Sequence, residues 1–229
     1  MSAAPRPALL ASCLVGAGGS AYDGGPAGNG GLKRRARDRR STGAYALSSE
    51  SSSLVIRRAA PGDAAAIARV HVETWRSAYA GMVPDRVLLG MTADRHALQW
   101  SRQITSHRRD EFVMVAESAE HGVIGFGSAG RTRGGDRDRG EVFTLYVHPD
   151  CQGLGAGRRL LGALFEGLGG RGMLSAVIWV LADNPSRFFY EAMGGVHAAR
   201  RHEKIWGERL PEFAYSWETL EITAGAARA

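Results

Sequence analysis

The chain has 229 residues, a 44% apolar share and a formal charge of +6, which suits one globular domain of ordinary size plus an appendage. The basic excess is local: residues 1–53 hold seven Lys and Arg against three Asp and Glu, whereas the remainder holds 22 against 20, so a general nucleic-acid-binding surface is not implied. No run approaches the roughly eighteen apolar residues of a membrane span, and the two cysteines, Cys13 and Cys151, stand far apart, as expected of reduced thiols in the cytoplasm and not of a disulfide framework.

Residues 1–53 are rich in Gly, Ala and Ser and carry little periodic apolar content. They are expected to be disordered, because such a segment buries too little apolar surface to offset the entropy of ordering it. Leu10-Ala-Ser-Cys13 resembles a bacterial lipoprotein cleavage box, but the apolar region ahead of the cysteine is too short for export. The basic run Lys33-Arg-Arg-Ala-Arg-Asp-Arg-Arg40 reads as a solvated tail.

Residues 54–57 read as a short strand, and Pro61-Gly-Asp63 opens a helix with a proline and a capping acid. Ile67, Val70, His71, Thr74, Trp75 and Ala78 recur at spacings of three and four and make one helical face, which Tyr79 and Met82 continue until Gly81 and Pro84 break it. A second helix is predicted over 92–106 with Ala97, Trp100 and Ile104 inward. Residues 112–117 and 123–130 read as a hairpin. The segment 131–139 alternates in charge sign and reads as a mobile, solvated loop.

Val, Phe, Leu and Tyr over 142–147 predict a strand, followed by a turn at Pro149, a loop containing Gly153, Gly155 and Gly157, and a helix with Leu160, Leu161, Leu164, Phe165 and Leu168 on one face. A strand that feeds a glycine loop opening a helix is built to hold an anion. The glycines let the backbone approach a ligand, and the unbonded amides of the first helical turn point at it. The dinucleotide spacing G-x-G-x-x-G is not met, because Arg158 stands where its last glycine belongs, and no Lys-Ser/Thr pair supplies a P-loop. Further on come a hydrophobic strand over 175–181, the run Asp183-Asn-Pro-Ser-Arg-Phe-Phe-Tyr-Glu-Ala-Met-Gly-Gly195, and two closing strands over 196–201 and 213–218 around a Trp206-Gly207 turn. Residues 224–229 are expected to fray.

Gln152, Gly155 and Gly157 match the acyl-CoA signature Q/R-x-x-G-x-G/A, and the run from Asn184 resembles N-x-x-A-x-x-F-Y-x-x-x-G-F, with Tyr190 one residue early, Arg187 for Ala and Gly195 for Phe. In that order and separation the two motifs resemble the GNAT superfamily of N-acetyltransferases over residues 54–223. The resemblance implies an α/β fold, a mixed sheet of about six to seven strands flanked by helices, with the central strand pair splayed into a V. It also implies acetyl-CoA as cosubstrate. The backbone of Leu145, Tyr146 and Val147 would pair with the pantetheine arm, and the loop Gln152, Gly153, Leu154, Gly155, Ala156 and Gly157 would take the pyrophosphate. Arg158 would add a charge-assisted contact, and Asn184 would touch the coenzyme or cap its helix. The first two helices would roof the acceptor, which makes Trp75 and Tyr79 candidate substrate contacts suited to an apolar or stacking amine. A homodimer is a further expectation from the family.

Acetyl transfer to an amine needs a base, because an alkyl ammonium loses its proton only near a pKa of about 10.4. Glu141 opens the central strand, where relatives place such an acid, and period two puts it on the face of Phe143, Leu145 and Val147. Glu73 on the first helix, or water, is the reserve. Tyr190 is the candidate acid for the departing thiolate, since a phenol with a pKa of about 10 held close can donate to it. Cys151 has no adjacent His with an orienting acid, so it is not read as a nucleophile, and the seven histidines show no ligand spacing, so no metal is expected. The expected reaction is direct transfer in a ternary complex to a primary amine of a small molecule. The alternatives are a protein amino terminus or lysine as acceptor, or a catalytically idle acyl-CoA sensor with no turnover to lose.

Overall fold

The computed structural model describes residues 54–106, 110–133, 136, 138–205 and 208–222, without the side chains of Ile205 and Glu208. The expectations for residues 1–53, for the Trp206-Gly207 turn and for 224–229 lie outside these residues. The described chain begins with β1 (Leu54–Arg58). Asp63 stands at the N-cap of α1, but its carboxylate caps the turn before the helix and bonds no amide of α1. Its carboxylate accepts from the Ala60 amide at 2.8 Å and from the Arg57 guanidinium at 2.6 and 2.9 Å, and Pro61–Asp63 forms a single 3-10 turn that leads into α1 (Ala64–Ala78). The α1 face formed by Ile67, Val70, His71, Thr74, Trp75 and Ala78 is buried throughout. Pro84 ends that stretch but also starts a short helix the sequence did not predict, α2 (Asp85–Gly90), ahead of α3 (Ala93–Ile104), whose Trp100 is buried.

The strands follow as β2 (Phe112–Ser118), β3 (Gly122–Arg131) and β4 (Arg139–Val147). After α4 (Ala156–Gly169) come β5 (Ser175–Leu181), α5 (Arg187–Ala192), β6 (Val196–Ile205) and β7 (Glu208–Trp217). They form one seven-stranded sheet in the order β1-β2-β3-β4-β5-β7-β6, with every neighbouring pair antiparallel except β4 and β5. The sheet separates two cores. On one face α4 packs Leu160, Leu161, Leu164, Phe165 and Leu168 against Leu145, Val147 and Val142; on the other, α1 and α3 pack against Phe126, Tyr146 and Leu181.

Helix α4 reaches the sheet so closely that a Cβ at Gly167 would lie 2.4 Å from two ring carbons of Phe112. An Ala in a helix interior normally gains up to about 1 kcal/mol over Gly. Here Gly167→Ala is expected to lose roughly 1–3 kcal/mol instead, because the ring is backed by the sheet and overpacking dominates. A fall in the urea midpoint at unchanged slope is the expected readout.

Two irregularities of β4 shape the cleft beside it. The parallel ladder to β5 runs only from Arg139 opposite Ser175 to Val142 opposite Ile178. Beyond that point β4 stays paired to β3 as far as Val147 and β5 stays paired to β7 as far as Leu181, so the two strands diverge into a V. In the β3–β4 ladder Ser128 faces Thr144 and Ala129 faces Val142, which leaves Phe143 as an extra residue, a β-bulge. The bulge corrects the period-two reading of Glu141. Leu145 and Val147 point into the α4 core, whereas Glu141 meets Arg133, whose guanidinium lies over the Phe143 ring.

Candidate active site

The glycine loop joins β4 to α4 at the mouth of the V. Gly153 and Gly155 have φ of +79° and +80°, a left-handed conformation that costs other residues about 1–2 kcal/mol, and Gly155 is the N-cap of α4. The Arg159 amide donates to the carbonyl of Gly155 at 3.1 Å and so begins the α4 ladder, and the first-turn amides ahead of it are directed out of the helix end. The Gln152 side-chain amide donates to the carbonyl of Val147 at 3.2 Å and ties the loop to the last residue of β4. Ala156 and Gly157 are buried in the first turn, while Leu154, Arg158 and Arg159 are exposed around it. Leu145, Tyr146 and Val147 form the arm of β4 that faces the V.

On the other arm, the buried Asn184 accepts from the Ser186 amide at 2.9 Å and from the Ser186 hydroxyl at 2.6 Å, and Ser186 is the N-cap of α5. The shortened distance to Tyr190 is taken up by tight turns: Arg187, Phe188 and Phe189 each donate to the carbonyl three residues before. Tyr190 is fully buried, with its ring against Phe189, Tyr215 and Trp217. Gly195, which departs from the motif's phenylalanine, has a reason. A Cβ there would lie 2.7 Å from the Trp217 indole and 2.9 Å from the carbonyl of Tyr190.

Glu141 is buried, with 3% of its side chain exposed, and is ion-paired to Arg133. Its Oε2 also accepts from the Arg133 backbone amide at 3.3 Å. Residue 133 belongs to the loop read as solvated; Arg133 is indeed exposed, but its guanidinium is also held by the buried Glu141, a contact the charge pattern did not indicate. Burial works against the charge of its guanidinium, but the hydrogen bond and charge of Glu141, together with the charges of Glu212 and Glu203, outweigh it and raise its pKa.

Trp75 and Tyr79 are core residues on the α1 side. The Trp75 indole donates to the Tyr146 hydroxyl at 3.0 Å, and the Tyr79 ring lies 4.7 Å from it. Glu73 pairs with His148 Nε2, lining a cavity of about 360 Å³ between α1, the β2–β3 turn and the start of the glycine loop. Burial raises the Cys151 thiol pKa, with Asp150 and Glu120 adding to it, so the thiol is not activated. Among the described residues no group of three or more His, Cys, Asp or Glu is placed to hold a metal, and no helix is long and apolar enough to cross a membrane.

The profile of the acetyltransferase (GNAT) family matches residues 70–195, more than half of the chain. The chain belongs to the GNAT acetyltransferase family. A Bacillus subtilis (strain 168) protein named as an uncharacterized N-acetyltransferase, YuaI, is 32% identical over 169 residues, covering 73% of this chain and 94% of that one. The mycothiol acetyltransferase of Saccharomonospora viridis is 35% identical over 107 residues, 44% of this chain and 35% of its own length. Among solved structures, YncA of Salmonella typhimurium with its cofactor acetyl-CoA is 26% identical, covers 78% of this chain and 100% of that one, and superposes with a TM-score of 0.55. The PaiA N-acetyltransferase of Thermoplasma acidophilum, in complex with coenzyme A, shares the fold at 19% identity, covers 72% and 99% of the two chains, and has a TM-score of 0.56.

The GNAT domain of this chain fits an acyl-CoA on its own geometry. Past Val142 the β5-facing edge of β4 is released from the sheet ladder, which leaves backbone donors and acceptors for the amides of a pantetheine arm. At its end the left-handed Gly153 and Gly155 lead into α4, whose first-turn amides are the kind of group that would suit a pyrophosphate. The sequence pattern did not single out Arg133, Arg201 or Glu212, which the fold gathers beside the V. The one signal for Glu212 is a carboxylate set between Leu210-Pro211 and Phe213-Ala-Tyr215 inside the strand.

Proposed function

We propose that the protein is a cytoplasmic N-acetyltransferase that uses acetyl-CoA and passes the acetyl group directly to the primary amine of a small molecule in a ternary complex. The observation that carries this reading is the divergence of β4 from β5 after Val142, beside a glycine loop whose helix amides face the same opening. Acetyl-CoA supplies the activated acyl thioester. The chain's residues then have six tasks. Leu145, Tyr146 and Val147 hold the pantetheine arm through their backbone, and residues 152–157 with Arg158 hold the pyrophosphate. Glu141 takes the proton that the acceptor ammonium must lose, and Tyr190 supplies a proton to the departing sulfur, so that a C–N bond replaces the C–S bond and one proton leaves to solvent. Trp75 and Tyr79 back the acceptor side of the cleft behind Tyr146, and Asn184 sets α5 so that Tyr190 faces the V.

Thermal unfolding of the full chain with acetyl-CoA, CoA, NAD and ATP tests the reading. At about a hundred times its dissociation constant a ligand adds roughly 2.7 kcal/mol, a rise of several degrees in Tm. Acetyl-CoA and CoA are expected to raise the midpoint while NAD and ATP do not, and added amines are expected to release free thiol from acetyl-CoA. A rise with NAD or ATP alone would sink it.

A further inference from the structure

Two matching units lie at the V, one at its apex and one on the β5 side, and neither belongs to the coenzyme cradle. At the apex, where Glu141 is still the Cα partner of Val177, Arg133 is paired to the buried Glu141 and its guanidinium carbon lies 5.2 Å from the centre of the Phe143 ring. On the β5 side, Arg201 of β6 donates to Glu212 of β7 through Nε and Nη2, both at 2.8 Å, and stacks 3.9 Å from the centre of the Trp179 ring of β5. Glu212 is the Cα partner of Leu181, whose side chain packs into the α1 core, and directly paired residues share a face of the sheet. Both units therefore lie on the acceptor side. They are near each other, because Glu141 is the Cα partner of Val177, Trp179 stands two residues further along the same face of β5, and Arg201 lies over the Trp179 ring.

Exposure decides what such a cluster offers a ligand. The Glu141 and Glu212 side chains are 3% and 2% exposed, whereas those of Arg133 and Arg201 are 54% and 38% exposed. The buried Glu141 and Glu212 are spent on their own guanidinium groups, and among the described residues only Glu203, 36% exposed and 3.8 Å from Arg201 Nε, shares the surface with them. A molecule entering the V meets the outer edges of two stacked, oriented guanidinium forks, the geometry that receives a planar anion. A pair of purely structural ion bridges would have no need to lie open at a cleft, and buried pairs contribute little net stability.

We propose that Arg133 and Arg201 form a carboxylate-binding subsite, so that the acceptor is an amine that also bears a carboxylate, such as an amino acid. The proposal rests on the acetyl-transfer reading above and narrows its substrate class. It also gives the bound carboxylate a second effect: by taking up donors of Arg133, it loosens the guanidinium from Glu141 and leaves that oxygen for the proton of the ammonium group. The ammonium gives one proton to Glu141, which passes it to solvent; the amine nitrogen then forms the bond to the acetyl carbon as the C–S bond breaks, Tyr190 protonates the leaving sulfur, and the second proton of the acylated nitrogen restores Tyr190.

The test is thiol release by the full chain at saturating acetyl-CoA with matched amines that differ only in the carboxylate: leucine against 3-methylbutylamine, phenylalanine against 2-phenylethylamine, lysine against cadaverine. The carboxylate-bearing members are expected to be preferred in kcat/KM by roughly ten- to a hundredfold, the range of hydrogen bonds to a charged group. In Arg133→Gln and Arg201→Gln that ratio is expected to collapse toward one. If either variant does not fold, Arg133→Lys and Arg201→Lys keep the charge but lose the fork, and the same fall in ratio is expected. Equal or better turnover of the amines lacking a carboxylate overturns the subsite, as does a uniform loss on both members of each pair in the variants. Silence with every amine overturns the acetyl-transfer reading itself, and the subsite with it.

Discussion

Glu141→Gln is expected to lower kcat by about 10²–10⁴-fold, the usual contribution of a positioned general base, while leaving the affinity for acetyl-CoA within a small factor of the original. The amide keeps the shape of the side chain and its place on β4, so the strand, the bulge at Phe143 and the glycine loop stay as they are. What is lost is the proton acceptor. The partner left behind is half-exposed Arg133, whose guanidinium can return to water, so the severe penalty of an orphaned buried charge does not arise. Tyr190→Phe makes the complementary change on the other arm and is expected to lower kcat with a similar retention of coenzyme binding, its ring remaining packed against Tyr215 and Trp217. The check is a pair of measurements, coenzyme affinity by thermal shift and turnover by thiol release. Unchanged turnover in Glu141→Gln transfers the base role to water or to Glu73, whereas joint loss of binding and turnover marks a structural defect. Turnover absent from the wild type as well would favour the sensor.

How much of the fold and the site was legible in the sequence depends on the range over which each signal acts. β5 appeared at its full length of 175–181 because a run of apolar, β-branched residues bounded by turns is a local pattern. The buried face of α4 was readable for the same reason, and the left-handed Gly153 and Gly155 are the glycines the loop was expected to need. Helix α2 was missed because six residues give too few periods, and Pro84 was read only as a breaker although it sits where a helix begins. The face of Glu141 was misjudged because a bulge adds one residue without altering the composition of the strand, and every period-two assignment across it then changes sides. The Arg133 contact was hidden for another reason. Alternating charges in a loop describe solvation on average, and only the tertiary burial of Glu141 selects one arginine from that run. Glu212 and Arg201 come together by register between β6 and β7, which no local pattern encodes.

His71 is expected to make the fold labile to mild acid. The imidazole lies within the α1 core, 3% exposed, stacked on Tyr146 at 5.3 Å, with Nδ1 accepting from the Trp100 indole at 3.1 Å. Burial, and secondarily the charge of His96 nearby, push its pKa down from 6.5 to about 3. In the unfolded chain the ring titrates near its ordinary value of about 6.5. Below that value the unfolded state takes up a proton that the folded state refuses, and stability falls by about 1.4 kcal/mol per pH unit until the folded pKa is reached. Between pH 7 and pH 5 the loss from this one group comes to about 2 kcal/mol. Other groups titrate too: Asp63, with its pKa lowered chiefly by the Arg57 hydrogen bond, adds to the acid loss, and Glu212, with its pKa raised by burial, opposes it. The useful quantity is therefore a difference. His71→Asn retains an acceptor for Trp100 and removes the titrating ring, at a packing cost that does not vary with pH. Urea unfolding of both proteins at pH 7 and pH 5 should show the wild type losing about 2 kcal/mol more than the variant. Parallel losses would mean that His71 is protonated without unfolding the α1 core. Because His71 stacks on Tyr146, between the two β4 residues that flank it in the proposed coenzyme arm, its protonation is expected to release the β4 arm of the V together with α1.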